Sequence, residues 1–365
     1  MMNRKKVALF LPSLAGGGAE RIMLSLAEEF VQSGHEVDLV LAKAEGPYMA
    51  HVLPDIHIVD MNSPRVLFSL FPLVRYLKVH RPQSILSALD HANVVAVLAS
   101  MLARMKTKTV VSIHSNMTHT PSVPSRRLIS KWLPPLVKWS FMKADHVVAV
   151  SQGVSEDAAA KLKLPEGRIQ VIYNPVVDEE LIARSKKPAG HPWLDKKEVP
   201  VLLGTGRLSP VKDFPNLIRA FARLREERPA KLIILGEGEQ REELEKLIQS
   251  MGLEQDIDLP GFVSNPYAYM NKADLFVLSS RAEGLPTVLI EALASGTKVV
   301  STDCPSGPKE ILKEGKYGPL VPVGDSEALF QAIRSVLDKA GLPKKEEACQ
   351  PYVKHHVSRQ YLEIL

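Results

Sequence analysis

Glu283 and Glu291 bracket a Gly-Leu-Pro-Thr-Val-Leu-Ile run inside Ser280–Gly296. Two nearby carboxylates raise acid/base chemistry first. Eight residues of helix span roughly 12 Å at about 1.5 Å per residue. A carboxylate pair flanking one glycosidic bond needs about 5–5.5 Å or 6.5–9.5 Å. The spacing therefore suits two contacts to different hydroxyls of one elongated ligand, Glu283 on a sugar and Glu291 on a ribose. Pro286 fits the first turn of a helix. The N–H groups of Gly284 and Leu285 then lie between the carboxylates, at a helix N-terminus where a phosphate can bind. The plain alternative is a surface helix with an acid in its first turn.

Other residues offer matching chemistry. Gly204-Thr205-Gly206-Arg207-Leu208-Ser209-Pro210-Val211-Lys212 follows a predicted strand. Arg207 can fork two phosphate oxygens and Lys212 supplies a point charge, so the two can hold a diphosphate without a metal. Two solvated surface cations would be the bland reading. Gly16-Gly17-Gly18-Ala19-Glu20-Arg21 follows the first strand, and Gly236-Glu237-Gly238 follows another. Glycines let a backbone approach a ligand closely, but equally make tight turns. The first run is no G-x-G-x-x-G fingerprint, because Arg21 stands at the last glycine's place. His114 ends a strand and can donate to a sugar oxygen or phosphate; a structural role is the alternative. Clustered Cys/His, H-E-x-x-H, a P-loop lysine and a Ser-His-Asp order are all missing, so no metal is expected.

These groups need a scaffold that gathers strand ends. The first half alternates apolar β-branched runs (Val7–Leu11, Glu36–Leu41, His57–Met61, Ser84–Leu89, Thr109–His114, His146–Val150, Ile169–Tyr173) with helical patterns (Ala19–Ser33, Leu67–Val79, Ala92–Arg104, Arg126–Lys143, Val154–Lys161). Nearly continuous apolar runs mark strands buried on both faces. Alternation with helices marks a parallel sheet. A proline-, glycine- and lysine-bearing stretch breaks the pattern after Asn174, and the alternation then restarts. The expected class is α/β: two Rossmann-like doubly wound domains facing across a cleft. Residues 1–178 form the first, 179–198 a linker, 199–350 the second, and 351–365 a terminal helix returning to the first. Ligands of such sheets bind beyond the carboxyl ends of the strands.

A chain of 365 residues exceeds one ordinary core. With 45% hydrophobic and 24% charged residues it reads as a soluble globular protein. Its two cysteines are far apart and imply a reducing compartment or no redox role. The basic, apolar start resembles a signal peptide, but Pro12 and the glycine cluster favour a first strand and loop. No apolar run reaches the 18 residues a membrane span needs.

Charge is segregated. Residues 1–178 hold 20 Lys+Arg and 14 Asp+Glu, hence 20 − 14 = +6, against −1 for the rest (26 − 27). Residues 61–143 hold 12 basic residues and one acid, Asp90, hence +11. Such a surface implies an anionic partner. Arg126, Arg127, Lys131, Lys138 and Lys143 are interleaved with Trp132, Trp139 and leucines, as at an anionic lipid interface. Pro134-Pro135 should break that segment in two. Residues 66–81 carry a similar mix. Aromatics sitting among aliphatics, with no nucleic-acid module, argue against nucleic acid.

At these motifs the chain resembles the family 4 retaining glycosyltransferases of GT-B fold, over nearly its whole length. The strongest element is the E-x7-E signature, Glu283 to Glu291; the Gly-Gly-Ala-Glu-Arg turn, the Arg207–Lys212 loop and the Gly236–Gly238 turn add to it. The resemblance implies a nucleotide-sugar donor, usually with UDP, held by the second domain. Arg207 and Lys212, near Gly206, would hold the diphosphate, Glu291 the ribose and Glu283 the donor sugar. His114, Gly16 and Gly17 would approach from the first domain. Displacement would occur on one face, with the leaving diphosphate assisting the incoming hydroxyl. Asp303–Pro308 with Glu310-Ile311-Leu312 is similar to bacterial enzymes extending lipid-linked or surface glycans. Leu285 departs from the common pattern and leaves the sugar open.

The expectation is transfer of a hexose or N-acetylhexosamine from a UDP-sugar to a lipid-linked or surface glycan, with no cofactor, at the cytoplasmic face of the plasma membrane. A nucleotide-sugar epimerase and a non-catalytic sugar-nucleotide-binding subunit are the rivals, because fold alone does not decide function.

Overall fold

Thirteen short strands, all in parallel pairings, form two sheets in the computed structural model, which describes residues 4–119, 129–339, 341 and 345–365. The first sheet holds β1 (Lys6–Leu11), β2 (Glu36–Leu41), β3 (His57–Asp60), β4 (Ser84–Ala88), β5 (Lys108–Ile113), β6 (His146–Ala149) and β7 (Ile169–Val171). Their order is β3-β2-β1-β4-β5-β6-β7. The order reverses between β1 and β4, so the crevice beyond their carboxyl ends is this sheet's topological switch point. In β1, Val7 to Leu11 are fully buried because helices cover both faces.

Helices Leu70–His80 and Asp90–Ala103 pack on one face through Leu73, Tyr76, Leu77, Ala92, Val95 and Ala99. Helix Gly18–Gln32 packs on the other. Beside it lies the C-terminal helix Lys354–Ile364, which puts Val357, Tyr361 and Leu362 into the same core. Lys5 Nζ donates to Leu362 O at 2.7 Å, fixing that helix to the start of β1. The first compact unit is accordingly Met1–Pro175 with Lys354–Leu365, and the second is Val176–Val353.

The second sheet holds β8 (Val201–Thr205), β9 (Lys231–Leu235), β10 (Ile257–Gly261), β11 (Leu275–Leu278), β12 (Lys298–Thr302) and β13 (Leu320–Val321), in the order β10-β9-β8-β11-β12-β13. Its switch point falls between β8 and β11. Both units are thus Rossmann-like, as the alternation predicts.

Residues 179–198, expected as a linker, are folded. They form helices Glu179–Ser185 and Pro192–Asp195 within the second unit. Asp178 caps the first by accepting from Leu181 N at 2.7 Å. His191 starts the second and meets Asp258 at 2.9 Å, while Leu181 and Leu194 are buried. The prolines that suggested a break delimit these helices instead. Helix Ile129–Lys143 likewise runs through Pro134 and Pro135 rather than breaking. Its buried Val137 and Phe141 hold it in place beyond the lost N–H bonds.

Candidate active site

Two loops of the second unit converge at the switch point. After β8, Pro210–Lys212 forms a short 3-10 turn, and Asp213 takes a left-handed conformation (φ 48°) before helix Phe214–Glu227. After β11, residues 279–285 lead to helix Thr287–Ala294. Three contacts lock the loops together. Arg281 N donates to Val211 O at 2.8 Å, Ser279 Oγ donates to Lys212 O at 2.8 Å, and Arg281 Nε pairs with buried Asp213 at 2.9 Å.

That lock brings together the two side chains singled out from sequence. Lys212 Nζ donates to Glu283 Oε1 at 2.6 Å, and Ser280 Oγ donates to the same oxygen at 2.6 Å. The Lys212 and Glu283 side chains are only 18% and 12% exposed. Short charge-assisted bonds in such a place are stronger than in water. Thr302 Oγ1 in turn donates to Ser280 O at 2.6 Å, holding the hydroxyl's backbone. Arg207 is exposed on the same loop and makes no ion pair among the described residues.

The glycines have a close-packing reason as well. A Cβ on Gly236 would overlap Gly206 O, and one on Gly238 would overlap Leu208 O. Gly206 N donates to Leu235 O at 3.0 Å and Leu208 N to Glu237 O at 2.9 Å, so the loops after β8 and β9 run in contact. A Cβ on Gly206 would meet Lys212 Cε at 3.2 Å. Its absence leaves room for the lysine stem. Sequence alone weighed a ligand against a turn; the structure adds backbone-on-backbone packing.

Pro286 is the N-cap of helix Thr287–Ala294 rather than its first residue, and no side chain caps that end. Gly284 and Leu285 precede it, packed beneath Gly307 (φ 93°). Glu283 N donates to Pro305 O at 3.3 Å. Glu291 lies inside the helix and is 1% exposed, so the two glutamates occupy separate places along the segment. Neighbouring Cys304 is buried, and its thiol is pushed up to about 12 by burial and then by the Glu283 charge. It stays a thiol and is no nucleophile.

In the first unit, Gly16 (φ 98°) and Gly17 lead into helix Gly18–Gln32. The Glu20 carboxylate lies where a Cβ of Gly17 would stand. This loop therefore carries its own anion at the helix N-terminus. His114 follows β5, half-buried, with Nε2 2.9 Å from Ser112 Oγ. Ser112 donates its one proton to Ser87 O at 3.0 Å. Nε2 must then carry the imidazole N–H, which leaves Nδ1 as an acceptor. Dehydration holds the His114 pKa down at about 4, so the ring is neutral.

Sequence reasoning missed Asp90 and His91, which open helix Asp90–Ala103 beyond β4, at the switch point. Leu89 reaches them through a left-handed turn (φ 75°) rare for leucine. Burial raises the Asp90 pKa, partly offset by Lys161, and lowers that of His91. The usable signal was Asp90 itself, the single acid in an 83-residue basic stretch (residues 61–143).

Of the membrane-facing candidates, Arg126 and Arg127 lie outside the described residues. Lys131 and Trp132 sit on helix Ile129–Lys143. Lys138 and Trp139 are half-buried on it. Among the described residues no helix is long and apolar enough to cross a membrane.

Two parallel sheets with charged loops at their switch points define the GT-B class of glycosyltransferases, and the comparisons agree. The "Glycosyltransferase Family 4" model matches residues 16–180 and "Glycosyl transferases group 1" residues 189–356. An N-acetylgalactosamine-N,N'-diacetylbacillosaminyl-diphospho-undecaprenol 4-alpha-N-acetylgalactosaminyltransferase of Campylobacter jejuni is 31% identical, covering 99% of each chain. A second N-acetylgalactosaminyltransferase of that organism, named for a diNAcBac-PP-undecaprenol-linked glycan, is 26% identical over 99% of this chain and 98% of its own. Anabaena HepE, solved with UDP and glucose, superposes with a TM-score of 0.80 at 23% identity, covering 99% of each chain. The chain belongs to this glycosyltransferase family.

Proposed function

We propose that this glycosyltransferase moves an N-acetylhexosamine or hexose from a UDP-sugar to a glycan carried on a lipid diphosphate, with retention at the anomeric carbon. The reaction takes place without a metal, at the cytoplasmic face of the plasma membrane. The observation that carries the reading is the Lys212–Glu283–Ser280 cluster at the switch point, in a chain similar from end to end to an enzyme named for a diphospho-undecaprenol-linked acceptor. The binding of UDP and glucose by HepE supports the donor class.

In this reading Lys212, with Arg207, takes up the charge that develops on the departing diphosphate, which is electrostatic catalysis. Backbone N–H groups of Gly284 and Leu285 receive phosphate oxygens. Glu283 accepts from donor-sugar hydroxyls once Lys212 turns to the phosphates, and Glu291 accepts from the ribose. His114, neutral, accepts a sugar hydroxyl at Nδ1. The incoming hydroxyl loses its proton to the leaving diphosphate on the same face.

The test is to incubate the protein with UDP- and GDP-sugars and bacterial lipid extract in EDTA, following products by mass spectrometry and anomeric configuration by NMR. A glycolipid enlarged by one sugar with the donor's anomeric configuration is expected. An inverted product would end the retention claim, and dependence on added metal the metal-free one. Release of an isomerised free sugar nucleotide, with no glycolipid, would make the protein an epimerase.

A further inference from the structure

Beyond β3 the chain turns through a 3-10 segment, Val66–Ser69, into helix Leu70–His80. The inner face of that helix is committed. Leu73, Tyr76 and Leu77 are buried, and Tyr76 Oη donates to Asp38 on β2 at 2.5 Å. The 3-10 segment and the first turn of the helix leave Leu67 66%, Phe68 60% and Phe71 75% exposed. Three and four residues separate Phe71 from the other two, so they form one apolar knob. Single exposed apolar residues are ordinary, but two phenylalanines and a leucine together are not.

Cations flank the knob along the chain: Arg65 stands three residues before Phe68, and Arg75 and Lys78 stand four and seven residues after Phe71 on the same helix. Arg65, Arg75 and Lys78 are exposed, and none makes an ion pair among the described residues. They belong to the 61–143 region, with its 12 bases and one acid. Apolar tip and unneutralised cations on one face fit an anionic lipid surface, with rings in the acyl boundary and cations at phosphates.

The tip's position adds meaning. All strands of this sheet point the same way, and the tip follows the carboxyl end of β3. It therefore stands on the same edge of the sheet as Gly16, Asp90 and His114. Helix Leu70–His80 then runs back toward the opposite edge. A bilayer touching the tip would meet the edge that carries the candidate residues.

We propose that Leu67, Phe68 and Phe71 insert into an anionic bilayer, with Arg65, Arg75 and Lys78 on its headgroup phosphates, so that the first unit's strand ends face the membrane. Insertion sits here rather than on helix Ile129–Lys143, where among the described side chains Trp139 is half-buried, Phe141 is fully buried, and Leu136 and Met142 are less exposed, at 45% each. The proposal deepens the lipid-borne acceptor reading, but its test needs neither donor nor acceptor.

The full chain is floated with vesicles of phosphatidylethanolamine and phosphatidylglycerol, and with neutral phosphatidylcholine vesicles. Binding to the anionic vesicles alone is expected. Phe68→Ser/Phe71→Ser should lower that partition more than tenfold with unchanged Tm and circular dichroism. Arg75→Glu/Lys78→Glu should abolish the anionic preference. In Phe71→Trp, emission should shift to the blue on binding, with quenching by brominated lipids. Unchanged partition of the well-folded double serine variant would overturn the proposal. So would a wild-type dimer in sedimentation that the serine pair dissociates, because the knob would then be a contact between copies. Loss of glycosyl transfer with vesicle binding intact would instead count against the proposed reaction.

Discussion

Lys212 Nζ and Glu283 Oε1 stand 2.6 Å apart, 71 residues apart in sequence, and the contact is mostly shielded from water. The lysine that the proposed reaction assigns to the departing diphosphate is thus already paired with a carboxylate. Donor binding has to exchange one anion for the other. Glu283→Gln keeps the shape and removes the competitor. UDP should therefore bind Glu283→Gln about three- to tenfold more tightly, on the order of 1 kcal/mol. Transfer should nevertheless fall, because the sugar loses its charged acceptor. Calorimetric titration with UDP beside turnover measurements checks both; weaker UDP binding would contradict the exchange.

Removing the cation has the opposite signature. Lys212→Ala should lower kcat by roughly 100–1,000-fold, the scale of one lost transition-state donor. It also strands Glu283 half-dehydrated, so a modest fall in Tm is expected. Wild-type turnover in a folded Lys212→Ala protein would remove this residue from the mechanism.

The glycines of the two units divide by what surrounds them. Gly236 and Gly238 press against the backbone of Gly206 and Leu208, whereas Gly18, the first residue of its helix, has open space around its Cα. Gly236→Ala and Gly238→Ala should each destabilise by about 2–4 kcal/mol, through backbone overlap. Gly18→Ala should be neutral or stabilise by up to about 1 kcal/mol. Urea denaturation of the three variants decides whether packing governs these sites.

His114 gives a pH signature. Its pKa is 6.5 in the unfolded reference and about 4 in the fold. Between those values the unfolded chain binds the extra proton. Stability from this group is therefore complete above about pH 6.5 and declines as pH falls toward 4. Asp90, raised by burial, works in the opposite direction, so the comparison is with His114→Gln in an otherwise intact chain. Denaturation midpoints of His114→Gln should fall less than wild type between pH 6.5 and 4. Parallel curves would rule the titration out.

Much of this was legible in the sequence because its signals are local. The apolar runs of β1 and β8 reveal both sheets, and the Glu283–Glu291 spacing argues against a paired acid and base. What stayed hidden depends on distant partners. Glu20 lying over Gly17, and Gly236 against Gly206, follow from side-chain direction and loop contact, not spacing. Residues 179–198 looked like a linker because prolines end helices as readily as they mark coil. Asp90 carried no motif; only the fold puts it beyond β4.

Glu291 offers the sharpest separation of roles. It is buried in helix Thr287–Ala294, while Lys212 lies on the loop after β8. If Glu291 receives ribose hydroxyls, the bonds are charge-assisted and worth about 1.5–3 kcal/mol. Glu291→Gln should then weaken UDP and uridine equally, by roughly 10–100-fold, since both carry the ribose. Lys212→Ala should weaken UDP but leave uridine unchanged, since uridine has no phosphate. Titrating both ligands into both variants gives four numbers. A Glu291→Gln variant that binds uridine like wild type would move the ribose elsewhere. Equal loss of uridine in Lys212→Ala would mean that the lysine shapes the pocket rather than holding phosphate.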